Sequence, residues 1–136
     1  MSEWTREHDA VIARECEDVG EIFKGNQDWP LGGWCGMKHN PMDLYYVDGD
    51  EHGHAPVGVD RYSTDLVACF RAAEAWKAID VDRRGYSTMS ASSSQPTAIC
   101  WTSPRCLVGE DLYQGQGKEP SQALAWALYN AVKGTK

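Results

Sequence analysis

No apolar run in this chain approaches the about 20 residues that a bilayer-spanning helix requires, so a membrane helix is not expected. The opening Met1-Ser2-Glu3-Trp4 lacks the basic and then apolar layout of a signal peptide, and the expected location is the cytoplasm. No two cysteines stand in C-x-x-C spacing: Cys16, Cys35, Cys69, Cys100 and Cys106 are odd in number and scattered. A disulfide framework is therefore not expected, in keeping with a reducing compartment. Signatures of catalysis are missing as well. There is no G-x-S-x-G, no phosphate-binding P-loop and no G-x-G-x-x-G after a strand. Gly115-Gln116-Gly117-Lys118 lacks the Ser or Thr and the strand–helix context of a phosphate loop. Basic residues are scarce in the first half: residues 1–60 carry 13 acids and 4 bases, and residues 61–136 carry 7 acids and 9 bases. With a net charge of −7, the chain is not expected to bind double-stranded nucleic acid, which demands clustered Lys and Arg.

What is present fits one α+β domain over residues 1–136. His8, Ile12, Cys16, Val19 and Phe23 recur at steps of three and four, which predicts a helix from Thr5 to Phe23. Its other face carries Glu7, Glu15, Glu17, Asp18 and Glu21. Trp29-Pro30-Leu31-Gly32-Gly33-Trp34 breaks the period as a loop. Met42 to Val47 reads as a strand, Asp48-Gly49-Asp50-Glu51 as a turn, and His52 to Asp60 as a loop or poor edge strand. A second helix enters through Tyr62-Ser63-Thr64-Asp65, with Leu66, Phe70, Ala73 and Trp76 as its core face and an end near Asp80. Gly85 to Ser94 and Thr97 to Thr102 read as two strands, the first an exposed edge that would pair across a homodimer. Gly109 to Glu119 reads as a loop, and a last helix runs from Pro120 to Lys133 with Gly134 as its C-cap. The order helix-strand-helix-strand-strand-helix predicts a small antiparallel β-sheet flanked by three α-helices.

The Tyr62-Ser63-Thr64-Asp65 helix entry, the two strands after it and the closing Ser121-Gln122-Ala123-Leu124-Ala125-Trp126-Ala127-Leu128 resemble the phage ABA sandwich domain. That family of small α-β-α domains occurs mostly in tailed phages and prophages. The resemblance covers nearly the whole chain, apart from the loop at 48–60 and the serine-rich strand. It implies a phage accessory protein in the cytoplasm of an infected bacterial host. It carries no catalytic residue over to this sequence.

Two constellations carry candidate chemistry. Arg61, Arg83, Arg84 and Arg105 flank the strands beside Tyr86 and Trp101. Guanidinium groups grip phosphates bidentately and aromatic faces stack on bases, so this set suits a small anionic nucleotide-like ligand. The second is Cys35-x-x-x-His39 followed by His52-x-His54, thiolate and imidazole groups of the kind zinc accepts. Its spacing matches no standard zinc module, so no cofactor is expected. The reading that follows is a non-catalytic binding protein, a counter-defence factor that sequesters a nucleotide-type host immune signal. The alternatives are an acidic module that engages a host protein through the first helix, and a small metal-dependent hydrolase.

Overall fold

The computed structural model describes residues 3–24, 43–50, 53–89, 96–102 and 112–134. Among these described residues the elements follow in the order α1 (Arg6–Cys16), β1 (Ile22–Lys24), β2 (Leu44–Asp50), β3 (Gly53–Gly58), α2 (Leu66–Ile79), β4 (Gly85–Met89), β5 (Thr97–Trp101), β6 (Leu112–Gln116) and α3 (Pro120–Lys133). The class is α+β, with three helices and two small antiparallel sheets among the described residues, in the orders β1-β2-β3 and β4-β5-β6. The Trp29–Trp34 loop lies outside the described residues.

The first helix stops at Cys16, well short of Phe23. Asp18 adopts φ 52° and Gly20 φ 87°, both left-handed, which turns the chain out of the helix. The Val19 N–H returns to the Ala13 carbonyl, and Ile22–Lys24 then pairs with Leu44–Tyr46. The stretch read as a turn, Asp48-Gly49-Asp50, continues β2 and pairs with Gly53–Ala55. Pro56 is accommodated because β3 is an edge strand, where a missing N–H breaks no ladder.

α2 is capped by the Asp65 carboxylate, which accepts the Ala68 N–H at 3.1 Å. The Thr64 hydroxyl instead donates to the Arg61 carbonyl. The buried face of α2 is Ala68, Cys69, Ala72, Ala73 and Trp76, while Leu66 and Phe70 remain 36% exposed. That is a rotation from the face expected, toward the smaller side chains that let neighbouring helices come close.

α3 is the hub of the molecule. Pro120 opens it and Gly134, at φ 70°, closes it. Its Ala123, Leu124, Ala125, Ala127 and Leu128 are all buried. One flank lies directly on β6, where a Cβ at Gly115 would come within 2.2 Å of the Ala123 carbonyl oxygen. A residue with a side chain at 115 would therefore push the helix off the sheet. Ala98 and Cys100 of β5 face the same core, which Ile12, Cys16, Cys69 and Trp76 complete.

The start of α1 is pinned by a buried carboxylate. Asp9, 2% exposed, accepts from Trp4 Nε1 (2.8 Å), the Tyr62 N–H (3.0 Å) and Arg6 (2.7 Å). Arg6 also reaches Asp43 and the carbonyls of Val59 and Asp60. This network ties together three stretches distant in sequence and holds α1 against the first sheet.

Candidate ligand cleft

The stripe of α1 that faces the core is Asp9, Ile12, Ala13 and Cys16. Next to it around the helix, at helical spacing, stand Glu7, Val11 and Arg14. On α3, Tyr129 and Lys133 are likewise one turn apart beside the buried Leu124–Leu128 pair. These flanks meet the first sheet around an open cleft of about 480 Å³. Glu7, His8, Ala10, Val11 and Arg14 of α1, Ile22 and Lys24 of β1, Leu44 of β2, and Tyr129 and Lys133 of α3 line it. The volume lies in the range of small-molecule sites, roughly 300–1,000 Å³.

The cleft has an aromatic wall. The His8 ring stacks on Trp4 at 5.0 Å and meets Tyr129 and Trp126 edge-on at 4.6 and 5.0 Å. Trp4 and Trp126 back the wall, in contact with each other at 5.0 Å. His8 stands at the third position of α1, where Glu or Gln often reaches back to the cap. Here its Nδ1 accepts the Thr5 N–H at 3.0 Å. That bond makes Nδ1 an acceptor and leaves Nε2 as the ring nitrogen that bears a proton.

The lining is basic, although the protein is acidic. Arg14, Lys24 and Lys133 stand against a single carboxylate, Glu7. Other arginines are already engaged: Arg6 with Asp9 and Asp43, Arg61 with Asp43, and Arg71 with Glu17 and Asp60. Arg14 and Lys133 are exposed and make no ion pair or side-chain hydrogen bond among the described residues. Unpaired cations beside apolar walls keep their attraction for an incoming anion.

Of the sequence-derived ligand set, Arg83, Arg84, Tyr86 and Trp101 lie together where β4 begins beside the end of β5, and Arg61 stands apart from them. Arg61 sits before α2 and is held by Asp43, whereas Arg83 and Arg84 follow the other end of that 14-residue helix. Arg84 donates to the Trp76 carbonyl at 3.1 Å and lies over the Trp76 ring at 5.1 Å, closing the helix end. The Tyr86 hydroxyl bonds Glu74 at 2.7 Å. Burial and that carboxylate push the Tyr86 phenol up to about 12. Trp101 covers Gly85, where a Cβ would fall 2.3 Å from the indole. Arg83 is exposed, and Arg105 lies outside the described residues.

Of the zinc candidates, Cys35, His39 and His52 lie outside the described residues, as does the His54 side chain. Among the described residues no group of three His, Cys, Asp or Glu is placed to hold a metal ion. The acidic face of α1 is partly spent: Glu17 is bonded by the Tyr62 hydroxyl and by Arg71 at 2.5 Å. Among the described residues no helix is long and apolar enough to cross a membrane.

The residues that line the cleft escaped the sequence reading for a physical reason. His8 read as part of the apolar stripe and Lys133 as the basic last turn of its helix. Their meeting depends on how α1 and α3 cross. Arg14, one of two bases with Arg6 among the acids of the first helix, was the signal available. Compared with known proteins, the chain matches no family model, no curated protein and no solved structure.

Proposed function

We propose that this chain is a non-catalytic binding protein that takes a small anionic ligand into the cleft between α1, α3 and the first sheet. The observation that carries this reading is the pair of exposed, unpaired cations, Arg14 and Lys133, on the lining of a 480 Å³ cleft in a protein of net charge −7. Such an arrangement draws anions locally while the rest of the surface repels them. In the setting that the resemblance to the phage ABA sandwich domain implies, the ligand would be a nucleotide-type immune signal of the bacterial host. The role would then be sequestration, with the ligand released unchanged.

Calorimetric titration with small anions (inorganic phosphate, pyrophosphate, mononucleotides) tests the reading. Saturable binding that weakens at least tenfold in Arg14→Gln/Lys133→Gln supports it, provided that the ligand is recovered intact from denatured protein. Binding of none of them, or binding indifferent to both substitutions, contradicts it. Recovery of a converted product would make the protein an enzyme.

A further inference from the structure

Building on the anion-binding reading, we infer that the cleft recognises a planar aromatic ring joined to an anionic group, one ligand of mononucleotide size per protomer. Two features of the lining carry the ring half of this inference. Tyr129 and His8 form a wall with ring centroids 4.6 Å apart, and Trp4 and Trp126 hold it from behind. The two rings meet at an interplanar angle of 61°, and packing on their far side orders them before the ligand arrives, so little entropy is lost when a planar ring stacks against Tyr129. The second feature is the His8 tautomer. With Nδ1 occupied by the Thr5 N–H, the Nε2–H remains a donor without a partner among the described residues. A heterocycle, a sugar or a phosphate offers acceptors for such a donor, and it is the aromatic wall that a bare inorganic anion would leave unused.

The anion half rests on Arg14 and Lys133. Lys133 follows Tyr129 by one helical turn, roughly 6 Å along the axis, about the distance from a stacked base to its phosphate. Arg14 adds a planar fork suited to two phosphate oxygens. Glu7, two turns before Arg14 on α1, keeps the lining from being uniformly positive and supplies an acceptor for hydroxyl or amino donors. The cleft volume favours one mononucleotide over an oligonucleotide or a macromolecular partner.

The test separates the two halves of the ligand. The four nucleoside 5′-monophosphates, their nucleosides and ribose 5-phosphate are titrated into the full chain at one ionic strength. In parallel, long-range ¹⁵N spectra report the His8 ring nitrogens. The expected result is at least one monophosphate binding tenfold or more tighter than both its nucleoside and ribose 5-phosphate, with a shift at His8 Nε2 and Nδ1 still an acceptor. Equal binding of ribose 5-phosphate and the monophosphates overturns the ring half and leaves the anion reading standing. Equal binding of nucleosides and monophosphates overturns the anion half and the reading beneath it. No binding by any of them overturns both. The comparison needs no substitution at half-buried Tyr129, so loss of folding cannot mimic a loss of recognition.

Discussion

Replacing Asp9 by alanine should cost about 3–5 kcal/mol, the range for removing one partner of a buried ion pair. The number can be built from the structure. The carboxylate is 2% exposed and accepts three hydrogen bonds: from Trp4 Nε1, from the Tyr62 N–H and from Arg6. Alanine leaves the Tyr62 N–H and the indole without an acceptor, at about 1–3 kcal/mol for each group that stays buried. Arg6 keeps Asp43 at 2.8 Å, so its charge is not stranded and the total stays near the lower half of the range. For a domain of this size about 3 °C of melting temperature follows each kcal/mol, which makes the expected drop on the order of 9–12 °C. Asp9→Asn retains an Oδ1 acceptor for Trp4 and Tyr62 but loses the charge and the bond from Arg6, against which it sets an amide donor. It should therefore fall between wild type and Asp9→Ala. Urea unfolding followed by circular dichroism, with equal m-values, gives the comparison. A loss below about 1 kcal/mol for Asp9→Ala would refute the claim that this carboxylate anchors α1 to the rest of the fold.

Three further outcomes follow from the same structure. Gly115→Ala should destabilise by about 1–3 kcal/mol or more, because its Cβ meets the α3 backbone at 2.2 Å; chemical denaturation that shows no loss would displace α3 from β6. Burial pushes the Cys16 thiol up to about 12 and raises Cys69 and Cys100 as well, so none of the three should react with a thiol reagent until the protein unfolds. Since these folded values lie above the unfolded one, their contribution holds at neutral pH and is lost as pH rises past about 8.5, which alkaline melting curves would register. Burial raises the Asp43 carboxyl, but the Leu44 N–H, the bond from Arg6 and the charges of Arg6 and Arg61 outweigh it and hold the group below the usual range. Its stabilising effect is present above the unfolded value of about 3.9 and is lost as pH falls through the lower folded value, so Asp43→Asn should flatten the acid side of the stability profile.

Local signals in the sequence were strong wherever one residue decides the backbone. Pro120 and Gly134 bounded α3 and Asp80 ended α2; β5 alternates Ala98 and Cys100 with Ile99 and Trp101, and the small-residue face is the buried one. Elements made by partners rather than by propensity were not legible. Ile22–Lys24 continues a helical apolar pattern and becomes a strand only because Leu44–Tyr46 lies beside it. Gly53–Gly58 holds Gly and Pro and Leu112–Gln116 holds Gly115, residues that mark loops, yet each strand is fixed by its ladder. Gly115 was in fact the clue to β6: its missing side chain is what admits α3. The same division applies to the site. An arginine cluster near the strands was visible in the sequence, but which guanidinium groups are consumed by Asp43 or Trp76 depends on tertiary neighbours. The cleft brings together residues more than a hundred positions apart, a meeting that no local pattern announces.

An ¹⁵N-resolved amide titration of the full chain with nucleoside monophosphates tests the central claim most directly. The account predicts saturable shifts at residues 7–14 and 129–133, abolished together with binding in Arg14→Gln/Lys133→Gln. Shifts confined instead to Arg83–Tyr86 and Trp101, or an unchanged spectrum at saturating nucleotide, would contradict it.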